Sequence, residues 1–234
     1  MSQKGKLILI PNFLGESNTE FISTYNLKLI HQLDEFIVEN EKPARAFLKE
    51  IQSPVKQDDF IFHFMGKHSD RADFGMYLNS CFEGKTIGLL SDAGLPCVAD
   101  PGFEVVKIAQ KNDIEVVPLM GFSSIMMALM ASGFNGQSFR FHGYLPHDII
   151  RKRKIIKQAL ADISRNETQI FIETPYRNAS FIAELKQQLP EQTMLCVAVD
   201  ISLPTQEIKT KQLRNWSNKE EHLHKRPAVF LLGL

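Results

Sequence analysis

Twelve residues, Ser91-Asp92-Ala93-Gly94-Leu95-Pro96-Cys97-Val98-Ala99-Asp100-Pro101-Gly102, follow directly on the apolar run Thr86-Ile87-Gly88-Leu89-Leu90. Small residues and glycines at the end of a buried strand give up packing for backbone access, as a ligand loop at the carboxyl end of a strand must. Read as a plain connection, the stretch is a turn with two helix-starting prolines, but such connections usually run about 2 to 6 residues. Read as a ligand loop, it offers free amides, a close backbone approach at Gly94, and acceptors at Asp92 and Asp100 for hydroxyl or amino groups. The same negative charges disfavour a phosphate there. Neither G-x-x-x-x-G-K-[ST] nor G-x-G-x-x-G occurs, which argues against triphosphate and dinucleotide sites.

A second junction of this kind is Val117-Pro118-Leu119-Met120-Gly121-Phe122-Ser123-Ser124. Its serines either cap the Met-rich helix that follows, or stand with the first loop at neighbouring strand ends, where two such loops make a crevice. The dense basic run is Arg151-Lys152-Arg153-Lys154 with Lys157. It is a solvated helix face or, beside a cleft, a phosphate-holding patch with salt-dependent binding. His222 and His224, two residues apart and without a further ligand nearby, read as surface residues rather than a metal site. The lone His63 and His68 read the same way, and no metal is expected.

Short apolar runs must position these loops. Leu7 to Ile10, Glu35 to Glu39, Phe60 to Phe64, Thr86 to Ser91 and Glu115 to Pro118 read as strands, with a helix at Phe21 to Leu33 whose face carries Ile22, Tyr25, Leu29 and Leu33. A second helix, Gly102 to Lys111, follows an Asp100 cap and Pro101 at the first helical position. This rhythm predicts a mostly parallel sheet flanked by helices. In the second half, Phe139 to Tyr144, Thr168 to Glu173, Met194 to Ile201 and Ala228 to Leu232 read as strands, with helices at Ile149 to Ile163 and Tyr176 to Leu189. The short polar stretch Pro204 to Glu221 leaves little room for crossovers, so antiparallel pairing and a mixed sheet are expected. The predicted architecture is two α/β domains, residues 1–120 and 121–234.

The 234 residues are 44% hydrophobic, enough for one large or two modest cores, and 27 basic residues balance 27 acidic ones. No whole-molecule field draws the chain to nucleic acid or anionic membrane, so any polyanion site must be a local patch. Cys81, Cys97 and Cys196 lie far apart, which gives neither a disulfide framework nor a zinc site. The first apolar run stops at Pro11, short of a signal-peptide core or a spanning helix. A cytoplasmic protein without a membrane partner is expected.

Taken in order, Ser-Asp-Ala-Gly-Leu-Pro with Ala-Asp-Pro-Gly, then Val-Pro-Leu-Met-Gly-Phe-Ser-Ser, then Phe141-His142-Gly143-Tyr144-Leu145-Pro146, then Glu173-Thr174-Pro175-Tyr176-Arg177, resemble the motifs of the tetrapyrrole methylase superfamily. The closest branch is the small-subunit ribosomal RNA 2'-O-methyltransferase I family, whose segments run S-D-A-G-T-P-x-x-S-D-P-G, P-G-P-S-A, F-x-G-F-L-P and E-S-P-H-R. The resemblance covers essentially the whole chain. It implies an S-adenosylmethionine-dependent methyltransferase that folds as two α/β domains with the cofactor in the cleft between them, and a homodimer.

By motif position, the resemblance assigns Ser91, Asp92, Ala93, Gly94 and Pro96 to the cofactor, joined by Gly121, Ser123 and Ser124. It adds Pro11 from an altered first-strand loop, and Tyr144, Thr174, Pro175, Pro227 and Ala228 from the second domain. Two segments depart from the branch. Glu39-Asn40-Glu41-Lys42 replaces E-D-T-R and keeps its first acid, and the loop after Pro11 lacks the asparagine of P-T-P-I-G-N. For a ribose hydroxyl acceptor on ribosomal RNA or the small ribosomal subunit, Glu173 is the candidate base and Arg177 would steer a phosphate. A small-molecule, tetrapyrrole-like acceptor and a non-catalytic binding protein are the alternatives. The apolar residues Ile125, Met126, Met127, Leu129 and Met130 serve the core or a subunit interface, with the core favoured.

Overall fold

Five short runs rich in aliphatic and aromatic residues build the first sheet: β1 (Lys6–Ile10), β2 (Glu35–Val38), β3 (Ile61–Phe64), β4 (Ile87–Leu90) and β5 (Glu115–Pro118). In this computed structural model, which describes residues 3–16, 19–66, 71–217 and 220–234, every pairing of that sheet is parallel and the order is β3-β2-β4-β1-β5. Side chains alternate between two cores. Leu7 packs on one face with Ile37, Leu89 and Val105, while Ile8 and Ile10 pack on the other with Phe36, Val38 and Leu48. Strands β2 and β4 are buried along their whole length, as inner strands covered on both faces must be.

Four helices join these strands: α1 (Thr24–Ile30), α2 (Glu41–Glu50), α3 (Asn79–Phe82) and α4 (Phe103–Lys111). Helix α1 is shorter than the sequence pattern predicts. Ser23 caps it, its hydroxyl accepting from the Asn26 amide at 3.1 Å, which leaves Ile22 outside the helix and Phe21 in a separate 3₁₀ turn. The inward face is therefore Asn26 and Ile30, and Tyr25 lies in solvent. Helix α4 starts later than expected, because Asp100 turns back on its own loop instead of capping the first turn. Its Oδ1 accepts from the amides of Cys97 and Gly102, both at 2.8 Å.

The chain divides into two compact units, Met1–Ser123 and Ser124–Leu234. The second holds α5 (Ser124–Ser132), β6 (Phe139–Tyr144), α6 (Ile149–Ile163), β7 (Thr168–Ile172), α7 (Asn178–Gln188), β8 (Met194–Val199), β9 (Glu207–Gln212) and β10 (Ala228–Gly233). Its sheet is mixed, in the order β6-β7-β10-β8-β9, parallel only between β6 and β7. Strand β9 lies inside the polar stretch from Pro204. It pairs antiparallel with β8 at the sheet edge, where alternating lysines guard an exposed rim. Phe171, Phe181 and Phe230 meet edge-on in the core, with α6 and α7 covering that face.

Helix α5 divides its apolar residues. Ala128 and Leu129 are buried, while Met126 is exposed and Met130 is 83% exposed. Among the described residues, no helix is long and apolar enough to cross a membrane.

Candidate functional site

Parallel strands release their loops at one edge, so the segments after β1, β2, β4 and β5 emerge together. Asn12 ties two of them. Its amide donates to the Gly94 carbonyl at 2.9 Å and its carbonyl accepts from the Gly94 amide at 3.1 Å, while its side-chain Nδ2 donates to the carbonyls of Ser91 (3.0 Å) and Asp92 (3.2 Å). The Gly94 amide is thus committed and not free for a ligand, contrary to expectation. Gly94 itself is required, since its φ of +65° favours glycine and an added Cβ would lie 3.0 Å from Leu14 Cδ2. Ser91 Oγ donates to the Ala93 carbonyl at 3.0 Å, and Pro96 is buried in the same loop.

The β5 junction joins this group through Gly121, where a Cβ would stand 2.2 Å from Pro11 Cβ. Asn26 Nδ2 donates to the Met120 carbonyl at 2.7 Å, and its buried Oδ1 has no partner among the described residues. Pro11, Ser91 to Gly94 and Gly121 are therefore one cluster. Ser123 follows two residues later, and Ser124 opens α5.

Three carboxylates converge at these strand ends. Burial, then the charges of Asp100 and Asp92, raise Glu39 to about 7. Burial also raises Asp100, against the amides of Gly102 and Cys97 that hold its Oδ1 and the hydroxyl of nearby Ser91, which donates to Ala93. The other oxygen, Oδ2, is buried without a partner among the described residues. Asp92 accepts from Asn40 Nδ2. Burial, reinforced by Asp100, pushes the Cys97 thiol up to about 12, so it is no nucleophile. An acidic cradle with orphaned acceptors suits a ligand that carries positive charge together with amino or hydroxyl donors. Asn12 and Asn26 are absent from the sequence reading. The signal for Asn12 is its place directly after Pro11.

In the second unit, the end of β7 lies beside the start of β10, with Ile172 opposite Val229, and brings Thr174 and Pro175 near Pro227 and Ala228. The Lys225 amide donates to the Pro175 carbonyl at 3.1 Å, and the Asp200 amide to the Pro227 carbonyl at 3.0 Å. Fully buried Asn178 clamps the approach, its Nδ2 donating to the carbonyls of Leu223 (2.9 Å) and Arg226 (2.8 Å). Asn178→Ala removes the side-chain donor of the Arg226 carbonyl, leaves the Leu223 carbonyl only the Arg226 amide at 3.3 Å, and is expected to lower stability by about 1 kcal/mol, read as a lower midpoint in thermal unfolding. Tyr144 pairs in register with Ile172 after a bulge at Gly143 and remains exposed.

Glu173 is buried, and its Oε1 accepts from the Thr174 amide (2.7 Å) and Arg177 Nη2 (2.8 Å). Oε2 has no partner among the described residues. Arg177 also donates to Thr174 Oγ1 at 3.1 Å and to His147 Nδ1 at 3.2 Å, so its guanidinium is occupied within the motif. His222 lies between Glu207 (3.7 Å) and Glu220 (3.3 Å), His224 meets the Tyr176 ring, and His63 pairs with Glu35 at 2.8 Å. His68 lies outside the described residues. On α6, Lys152 turns inward to Glu184, whereas Arg151, Arg153, Lys154 and Lys157 are exposed without an ion-pair partner among the described residues.

The family described as Tetrapyrrole (Corrin/Porphyrin) Methylases matches residues 15–216. The chain is 30% identical over 225 residues to ribosomal RNA small subunit methyltransferase I of Halalkalibacterium halodurans, covering 94% of this chain and 71% of that protein. The like-named protein of Haemophilus influenzae is 27% identical over 232 residues, covering 97% and 78%. Among solved structures, the methyltransferase CobJ gives a TM-score of 0.66 at 14% identity, covering 98% of this chain and 94% of that one. Uroporphyrin-III C-methyltransferase of Thermus thermophilus, complexed with S-adenyl homocysteine, gives 0.61 at 14% identity, covering 98% and 97%. These two likenesses show the fold.

Proposed function

Because the chain belongs to the tetrapyrrole (corrin/porphyrin) methylases and is thus an S-adenosylmethionine-dependent methyltransferase, we propose that its acceptor is a ribose 2'-oxygen of small-subunit ribosomal RNA. The observation that carries this reading is the solvent face of α6, with four basic side chains that have no ion-pair partner among the described residues. The relatives named for ribosomal RNA methylation support it.

When bound, the cofactor would supply a methyl group on a positively charged sulfur, whose carbon–sulfur bond breaks as the acceptor oxygen bonds to the methyl carbon and the neutral thioether leaves. Glu39, Asp92 and Asp100 suit that charge and its accompanying donors, and Gly94 and Gly121 keep the loops close without side chains in the way. We assign the loops after β1, β4 and β5 as the cofactor's hold in the first unit, and Tyr144, Thr174, Pro175, Pro227 and Ala228 as its contacts in the second. Glu173 takes the hydroxyl proton on its unpartnered Oε2, and Arg177 holds that carboxylate in place through Oε1. The enzyme is assigned to the cytoplasm as a homodimer, for which exposed Met126 and Met130 of α5 offer apolar surface.

A second reading, a small tetrapyrrole-like acceptor, draws on the family description and on the fold shared with CobJ. Family membership sets aside a non-catalytic protein, and the altered segment after β2 keeps its acid, Glu39, in the carboxylate cluster.

Incubation of methyl-labelled cofactor with small ribosomal subunits, naked small-subunit RNA and a uroporphyrinogen separates the two readings. Label is expected in RNA, and label in the macrocycle alone would overturn the RNA assignment. Arg151→Glu with Arg153→Glu is expected to lower RNA methylation about tenfold and leave cofactor affinity unchanged. Glu173→Gln is expected to lower kcat about tenfold with little change in the KM for RNA.

A further inference from the structure

The second unit contains a pocket of about 510 Å³ between α6 and α7, within the roughly 300 to 1,000 Å³ typical of small-molecule sites. The loop after β6, the first turns of α6, the end of β7 and the outer face of α7 wall it. Most charge inside is already paired, Lys152 with Glu184 and Arg177 with Glu173. Arg153, which also lines the pocket, has no such partner among the described residues.

His147 adds a neutral donor. Arg177 Nη1 lies 3.2 Å from His147 Nδ1, and a guanidinium can only donate, so Nδ1 accepts and the ring proton sits on Nε2. The last turn of α7 contributes the side-chain amides of Gln187 and Gln188. Gln188 donates to Glu184 Oε1 at 3.0 Å, and Gln187 is exposed.

One unpaired cation with one imidazole N–H suits a single phosphodiester. Primary amides, which both donate and accept, suit the edge of a nucleobase. A polycarboxylate macrocycle would meet one unpaired cation among two carboxylates, a poor match. Arg153 also belongs to the exposed basic face of α6, so a strand lying along that face reaches the pocket without a break in positive charge.

We propose that this pocket holds one nucleotide of the RNA acceptor, a neighbour of the methylated one, with Arg153 and His147 on its phosphate and Gln187 on its base. The inference rests on the RNA reading above. The test is fluorescence anisotropy of a labelled single-stranded RNA decamer, with competition by uridine and adenosine monophosphates. Arg153→Ala and Gln187→Trp are each expected to weaken decamer binding about tenfold, and Arg153→Ala to reduce the salt slope by about 1. Gln187→Trp, which fills the pocket without changing charge, keeps the slope and loses competition by the monophosphates. Lys157→Ala, on the same helix but outside the pocket, keeps that competition. Calorimetric affinity for S-adenosylmethionine stays as in the unaltered protein throughout. Wild-type decamer affinity and competition in both pocket variants would overturn the pocket assignment and leave the RNA reading standing. An unaltered protein that binds cofactor but neither binds nor methylates RNA would overturn both.

Discussion

Gly121→Val is expected to lower affinity for S-adenosylmethionine at least about a hundredfold, near 2.7 kcal/mol. A Cβ at this position would lie 2.2 Å from Pro11 Cβ and 2.4 Å from Pro11 Cγ. Neither atom belongs to a flexible side-chain end, because the proline ring is closed onto its own backbone. The overlap must therefore move one of two loops. Moving the β1 loop pulls on Asn12, whose hydrogen bonds hold Ser91, Asp92 and Gly94. Moving the β5 junction pulls Met120 from Asn26. Either way the cluster opens where the cofactor is assigned.

Gly94→Val is expected to do less. Its strain is that of a left-handed backbone, about 1 to 2 kcal/mol, and the nearest atom is the mobile end of Leu14. Gly136→Ala is the control, since a Cβ there meets nothing within 4 Å. Calorimetric titration with thermal unfolding reads all three, and Gly121→Val binding within about threefold of the unaltered protein would refute the assignment.

How much of this cluster a sequence can show depends on how far apart its partners lie. The loop from Ser91 to Gly102 is legible because glycine, proline and aspartate after a buried apolar strand leave few other uses for the backbone. Strands β5 and β6 and helix α6 match their sequence patterns residue for residue, since each has a strong local period and clear ends. Asn12, Asn26 and Asn178 are not legible. Their partners are 79, 94 and 45 residues away, and an asparagine in isolation reads equally well as a turn residue. Strand β9 escapes for another reason: an edge strand of Glu-Ile-Lys-Thr-Lys-Gln carries the polarity of a loop. The aspartates show a subtler limit. Their acidic chemistry is visible in the sequence, but only the fold reveals that Asp100 closes its own loop with one oxygen and leaves the other without a partner.

Raising the pH from about 6 to 8 is expected to strengthen cofactor binding and weaken the unliganded fold, both through Glu39. Its carboxyl titrates near 7 in the folded protein, against an ordinary value of 4.5, because it is half-buried beside Asp100 and Asp92. Between those two values the folded chain keeps a proton that the unfolded chain has lost. Stability is therefore highest below the unfolded value, falls as pH rises through this window, and levels off above the folded one. Solvent reaches the group, so screening leaves an effect of about 1 kcal/mol. A positively charged ligand acts in the opposite sense, favouring the ionised carboxylate, so binding near pH 7 must release protons. Calorimetry in buffers of different ionisation heat measures that release directly. Glu39→Gln should abolish most of it, raise unliganded stability at pH 8, and weaken cofactor binding there about thirtyfold. That factor corresponds to roughly 2 kcal/mol, what one charge about 8 Å from a cation is worth at an effective dielectric near 20. Asp100 is raised in the same direction, so Asp100→Asn shows whether it shares the titration. Proton release unchanged in Glu39→Gln would place the cofactor's charge away from the β2 loop, and with it the role of the acid that the altered segment Glu39-Asn40-Glu41-Lys42 retains.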